Sequence, residues 1–290
     1  MRLSKSDLFF TLSVFIVSAL FFKLFIDDIN AISTKNAESA ATIIFKKNNA
    51  QRQFSSSLKW ERLKNQSPVY NGDTLRTGNN SEAALFFEDG TKLDLADNTL
   101  IQIRSALKNN TVDFFGGNMS FKSNNKSDKS TVINTPDGSK INLSKDAVAS
   151  LIQSGDKLFI GLDTGKASIE KDGASQDIDK NKEFAINIES GEITVTNRKI
   201  FPITPEPDSR YIAIAKNSVK ISFVCESEEI DNVSEAFVEL SPNPDFEESV
   251  ISIKANYQDK KVSSDVDTPD GGWFWRVKLI TGNETIYSSA

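Results

Sequence analysis

The chain has 290 residues, a net charge of −6 and an apolar fraction of 38%, which suits two folded domains and excludes both a disordered chain and the concentrated basic surface of a nucleic-acid binder. Histidine is absent and cysteine occurs once. That removes Ser-His-Asp and Cys-His catalysis, most zinc sites and any intramolecular disulfide.

Residues 1–7 form a short polar stub, and the run LFFTLSVFIVSALFFKLFI from Leu8 to Ile26 follows, 19 residues that are predominantly apolar. As a helix this run extends about 28 Å, enough to span a bilayer. Arg2 and Lys5 precede it and Asp27 and Asp28 follow it, an asymmetry that places the N-terminus in the cytoplasm and the bulk outside the inner membrane. Lys23 lies within a turn of the far end and can snorkel to the interface. A cleaved signal peptide with Val17-Ser18-Ala19 as its cleavage site is the competing reading. The apolar run continues through Leu20, Phe21, Phe22, Leu24, Phe25 and Ile26, where a mature chain turns polar, so an uncleaved signal anchor is expected. With no cysteine nearby, a lipoprotein anchor is excluded.

Residues 27–40 are polar and read as a linker. From Ala41 to Arg198 short apolar runs alternate with Asn, Asp, Gly and Ser, and no helical period persists, so the expectation is an all-β domain. Within it, Tyr70 to Ile103 reads as a β-meander in which Asn71-Gly72 and Asp89-Gly90 act as two-residue turn signals. The stretch EDGTKLDLADNTLIQI from Glu88 is echoed by PDGSKINLSKDAVASL from Pro136, and KDGASQDIDKNKEFAI from Lys171 is a weaker third copy. A wrapped sheet or solenoid-like sandwich follows, with the DG turns aligned along one edge. The polar cluster KSNNKSDK at 122–129 reads as a loop.

Prolines 202, 205 and 207 disfavour both a helix and a central strand, so 199–210 reads as a stiff linker. Beyond it YIAIA, VKISFVC, EAFVELS, VISIKA, WFWRVKL and TIYSS mark strands of an immunoglobulin-like sandwich over 211–290. Period 2 puts Trp273, Trp275 and Val277 on one face and Phe274, Arg276 and Lys278 on the other. The tryptophans are expected to anchor the core, with an exposed binding platform as the alternative. Cys225 reads as a buried, inert thiol. Residues 201–290 carry 16 acidic and 8 basic side chains, so this half is strongly acidic.

The segments GDTLRTG, SEAALFFEDGTKLDL and NTLIQI resemble the core of a FecR domain, the periplasmic module of ferric-citrate-type signalling regulators. Trp60, Gly117, NTPDG at Asn134 and GLDTGKASI at Gly161 follow that family's order, and the likeness covers roughly 41–198. The regulators carry a cytoplasmic helical segment that holds a sigma factor. Only seven residues precede the apolar run here, so that activity is not carried over. AFVELSPNPDF followed by DGGWFWRVKLITG resembles bacterial fibronectin-type-III-like domains.

Candidate chemistry is sparse. Asp89, Asp94 and Asp97 around a DG turn suggest a calcium site, but their counterparts in the second copy include Asn142 and Lys145, so structural turns are the better reading. Glu228-Glu229 and Glu247-Glu248 are adjacent, and neighbours on a strand point to opposite faces, so they read as solvated charges and not as paired acids. No catalytic residue, metal or cofactor is expected. The expectation is a single-pass envelope protein that binds another envelope protein or peptidoglycan and no nucleic acid. A FecR-like signalling component and a carboxylate-based glycan hydrolase are the rivals.

Overall fold

The computed structural model describes residues 5–30, 39–55, 57–105, 109–124, 130–206, 209–212, 218–243, 246–247, 249–282 and 284–288. One helix, α1 (Lys5–Asn30), precedes 25 strands among these residues. The window Phe9–Ile26 of α1 has a mean hydropathy of 2.3 and no residue buried against the rest of the chain. It is long and apolar enough to cross a bilayer once.

The first β unit contains β1 (Ser39–Lys47), β2 (Ala50–Gln53), β3 (Trp60–Arg62), β4 (Pro68–Tyr70), β5 (Thr74–Thr77), β6 (Glu82–Phe87), β7 (Lys92–Leu95), β8 (Leu100–Ser105) and β9 (Asn109–Gly116). It continues through β10 (Asn118–Lys122), β11 (Ser130–Asn134), β12 (Lys140–Leu143), β13 (Val148–Ser154), β14 (Lys157–Thr164), β15 (Ala167–Lys171), β16 (Ala174–Ile178), β17 (Lys182–Asn187) and β18 (Ile193–Asn197). These make two nine-stranded sheets, ordered β18-β17-β14-β13-β10-β7-β6-β1-β4 and β16-β15-β12-β11-β9-β8-β5-β2-β3. A single apolar cluster fed by both sheets lies between them, from Ala40 to Ile186. Its largest fully buried side chains are Phe87, Phe114, Phe121 and Phe184, and period-2 alternation puts each on the inner face of its strand.

After β5 the chain feeds the two sheets mostly by hairpins, so both grow in the same direction. The exception is β10, a lone strand of the first sheet between two hairpins of the second. It carries the chain from β9 to β11, which pair in parallel with Asn109 opposite Ser130. Parallel neighbours need a crossover, and here the opposite sheet supplies it in place of a helix. One residue, Gly117, separates β9 from β10. Its φ is +97°, and a Cβ there would lie 2.4 Å from Thr99 Cα and 2.6 Å from Asn98 O, so only glycine makes the corner.

The lone strand also explains where the repeat reading fails. The DG turn at Asp89 closes the β6–β7 hairpin of the first sheet, whereas those at Asp137 and Asp172 close β11–β12 and β15–β16 of the second. The first two turns lie at opposite ends of the sandwich. The DG turns are therefore not aligned along one edge, because β10 shifts the alternation by one strand and exchanges the sheets. The turn type differs as well: Gly90 N–H donates to Phe87 O at 2.9 Å and Phe87 N–H to Thr91 O at 2.8 Å, and only Gly90 of the pair has positive φ. This is a three-residue loop with glycine at its left-handed position, not a two-residue turn. Asp89 contributes by accepting Thr91 N–H at 2.9 Å.

The corresponding loop at Asp137 is locked to its surroundings. Thr135 Oγ1 donates to Asp137 at 2.6 Å, Ser139 Oγ donates to the same carboxylate, and Lys171 Nζ reaches it at 3.1 Å while also donating to Gly191 O at 3.0 Å. Burial alone would raise the Asp137 pKa, but the hydroxyls of Ser139 and Thr135 and the Lys171 ammonium outweigh it and hold the carboxyl below its ordinary value.

The second β unit contains β19 (Ile200–Thr204), β20 (Ser218–Ser227), β21 (Val233–Ser241), β22 (Ile251–Gln258), β23 (Lys261–Pro269), β24 (Phe274–Thr281) and β25 (Thr285–Tyr287), in the order β19-β20-β23-β22-β21-β24-β25. β22 pairs with β21 through Ile251–Ala255 and with β23 through Asn256–Gln258. The sheet folds over at that point: three strands lie between β20 and β24 in the sheet, yet the rings of Phe223 on β20 and Trp275 on β24 meet edge-on at 5.1 Å. The expected linker is corrected here, because 200–204 is a strand. It is an edge strand, the place where Pro202 costs no ladder hydrogen bond. Tyr211 and Ile212, expected to open a strand, lie in none, while 213–215 of that expected strand and 125–129 of the expected loop lie outside the described residues.

Two outcomes follow. Gly117→Ala should lower stability by about 2 to 4 kcal/mol, whereas Gly138→Ala, also at positive φ but with nothing within 4 Å of its Cβ position, should cost only about 1 kcal/mol; equal midpoint shifts in urea would refute the corner argument. Because the folded Asp137 pKa lies below the unfolded one, its contribution is present above the unfolded value and is lost as pH falls through the folded one. Asp137→Asn should therefore cost about 1 to 3 kcal/mol at neutral pH, with variant and wild type converging in acid; a pH-independent difference would contradict this origin.

Candidate functional site

The acidic residues singled out around the first DG turn are drawn apart. Asp89 holds its own turn and accepts Asn110 Nδ2 at 2.8 Å, Asp94 is buried and faces Arg210, and Asp97 receives Asn98 Nδ2 at 3.3 Å. Among the described residues no group of three or more Cys, Asp or Glu is placed to hold a metal. Glu228 and Glu229 are exposed after β20, Glu229 pairing with Lys260 at 3.4 Å. Glu247 is exposed and Glu248 lies outside the described residues. Cys225 is fully buried in the second unit's core, and burial pushes its pKa up to about 12.

Trp273 and Trp275 pack against the core cluster of Phe223, Val238, Leu240 and Val266. Trp273 Nε1 donates to Pro269 O at 3.0 Å. The opposite face of β24 is less simply solvated than alternation implies. Arg276 and Lys278 converge on the buried Glu239 at 2.8 and 3.6 Å, and the Arg276 guanidinium lies 4.2 Å from both the Phe246 and Tyr287 ring centroids. In the first unit Trp60 is capped by the Arg76 guanidinium at 4.0 Å.

Two shallow clefts lie where the two units meet. Only Arg198 and Lys199 separate β18 from β19, and clefts of about 270 and 300 Å³ open on either side of Arg198. One is lined by Glu183, Lys199, Glu284 and Tyr287; the other by Asp163, Lys180, Asn181 and Pro202. Arg198 lies 3.7 Å from Asp163, and its buried Nε has no hydrogen-bond partner. Burial raises the pKa of Asp163 and of Glu183, with the Arg198 charge opposing it in both. Gly161 is part of this arrangement, since a Cβ there would sit 2.8 Å from Arg198 Nη2.

The junction has a second fastening that motif reading missed. Arg210, in the segment after β19, returns to the outer face of the first unit, where Nη2 donates to Asp94 Oδ1 at 2.9 Å. Its guanidinium covers the Phe45 ring at 4.3 Å and its Nε lies 3.8 Å from Glu82. Lys199 joins Glu284 at 3.1 Å. No local pattern marks a pair separated by 116 positions. The alternation of KLDL, which sends Asp94 outward between Leu93 and Leu95, is the available signal.

With no metal-ligating cluster among the described residues and a polar, charged junction, the chain is a two-unit β protein preceded by one apolar helix. Its first unit carries a FecR segment: the family model described as FecR protein matches residues 73–140, from the residue before β5 to the start of β12 and so less of the unit than the resemblance covered. An uncharacterized protein of Treponema pallidum (strain Nichols) is 24% identical over 253 residues, covering 84% of this chain. The chain spans 37% of that relative's length. Two crystal structures of a candidate anti-sigma factor from Parabacteroides distasonis align with 16% identity and a TM-score of 0.38 over 43% of this chain and 59% of theirs.

The Arg210–Asp94 contact is testable by a double-mutant cycle. Arg210→Ala and Asp94→Asn should be coupled by about 1 to 2 kcal/mol in unfolding free energy, and cleavage within 205–212 should accelerate in either variant. Additive effects would show that the strap carries no interaction energy.

Proposed function

We propose that this protein is a membrane-anchored component of bacterial envelope signalling that works by binding: α1 fixes it in the inner membrane with both β units on the outer side, and the junction engages an envelope protein. The observation that carries this is the FecR match on a sandwich tethered by a single apolar helix. The charge pattern flanking α1, Arg2 and Lys5 before and Asp27 and Asp28 after, supports the orientation. The second unit is read as a fibronectin-III-like spacer that completes the junction, and the absence of histidine from the whole sequence supports binding over catalysis.

The junction suits a protein surface better than a small molecule. Its clefts are lined by both signs of charge, Lys180, Arg198 and Lys199 against Asp163, Glu183 and Glu284, whereas small-molecule sites are mostly apolar with a few placed polar groups. Mixed charge favours a complementary partner and penalises wrong ones.

The test is affinity recovery of the full-length tagged protein from detergent-solubilised envelopes after in-cell crosslinking. A single membrane protein should be recovered in constant ratio, and charge reversal at Lys180 together with Glu284 should lower its yield at least fivefold without loss of the folded protein. Enrichment of peptidoglycan fragments alone would transfer the reading to a wall-binding protein, and a partner whose yield ignores the reversal would remove the junction from it.

A further inference from the structure

The tether enters the first unit at one end of the sandwich. Ser39 opens β1, lies opposite Tyr70 in the ladder and donates through Oγ to Glu88 at 3.3 Å. Tyr70 leads into the Asn71-Gly72 turn, and Gly72 lies against Ser55, whose Cβ is 2.9 Å from where a Gly72 Cβ would stand. The loop between β2 and β3 therefore shares an end with the membrane tether. Eight residues separate Asn30 from Ser39, and a fully extended chain of that length spans about 30 Å. This end of the sandwich carries the attachment point and is held within that reach of the end of α1.

At its root the loop is built firmly. Phe54 is buried, stacked under the Arg52 guanidinium at 4.1 Å and 6.3 Å from the Tyr70 ring. Ser57 N–H donates to Phe54 O at 3.0 Å and Lys59 N–H to Ser57 Oγ at 3.1 Å. From this turn Leu58 projects with 96% of its surface exposed, more than any other large apolar side chain among the described residues, those of α1 included. Lys59 beside it is exposed as well. Phe86, two residues before the Glu88 turn, is 46% exposed at the same end.

We infer that Leu58 and Lys59 form a second, reversible membrane contact that seats the first unit on the bilayer in which α1 is anchored. A leucine on a hydrogen-bonded turn enters the interfacial layer at little conformational cost, and a neighbouring lysine meets anionic headgroups. The tether supplies a high effective concentration, so one apolar side chain suffices where it would not for a free protein. This inference rests on the anchor reading above.

The experiment uses the full-length protein in nanodiscs of phosphatidylethanolamine and phosphatidylglycerol, in a Cys225→Ala background, with an environment-sensitive fluorophore on Leu58→Cys. Val17→Cys reports whether α1 is in lipid, and Asn79→Cys, exposed at the opposite end, is the aqueous reference. The label at 58 should shift to the blue relative to that at 79 and lose at least half its intensity to spin-labelled lipid. If the label at 17 is lipid-quenched while that at 58 matches 79, the seating contact is wrong and the anchor stands; if 17 is also water-like, the anchor reading has failed.

Discussion

The corner at Gly117 is the constraint on which the first unit turns. β9 and β10 belong to different sheets, yet a single residue joins them, so the chain crosses the thickness of the sandwich with the Thr99 backbone pressed against it at a distance no Cβ permits. The crossing fixes three things together. It sends Met119 and Phe121 into the shared core, it frees the next strand to pair in parallel with β9, and it reverses which sheet receives each following hairpin. A β-branched residue at this corner would meet the same backbone with more bulk than alanine, so its strain would fall on the crossover itself.

Much of this architecture was legible because alternation and turn chemistry are local. Strands are legible from period 2, the apolar helix from length, the burial of Cys225 from VKISFVC and the inward packing of Trp273 and Trp275 from WFWRVKL. What stayed hidden is non-local. Whether Asp89-Gly90 makes a two- or three-residue loop depends on Thr91 pairing back to Phe87, and nothing in the dipeptide specifies that. Pro202 was read as a break because proline cannot sit in a central strand; an edge strand satisfies the same rule, and only β20 pairing on one side shows which applies. The sheet exchange between repeat copies is invisible in sequence for the same reason, since sequence similarity records strand order and not the layer a strand joins.

The candidate site was less legible than the fold, and its residues show why. Arg198, Lys199 and Arg210 sit in or beside a proline-rich stretch whose composition says only that no regular core element passes through it. Their partners Asp163, Glu284 and Asp94 are distant in sequence. Asp94 illustrates the ambiguity of a buried carboxylate: near Asp89 and Asp97 in sequence it suggests a cation site, and in the fold the cations it meets are the Lys92 ammonium at 2.5 Å and a guanidinium brought back by the chain itself.

That guanidinium bears on how the two units are held. Residues 201–290 carry twice as many acidic as basic side chains, but a net field of that kind decays over about 8 Å at physiological ionic strength and sets no orientation. Arg210–Asp94 is different in kind, because Asp94 keeps only 6% of its side-chain surface and Phe45 shields the other face of the guanidinium. Partial burial leaves the pair little screened by salt, and the planar fork fixes direction as well as distance. Charges distributed over the surface leave orientation open, whereas this half-buried pair fixes the segment after β19 against the first unit.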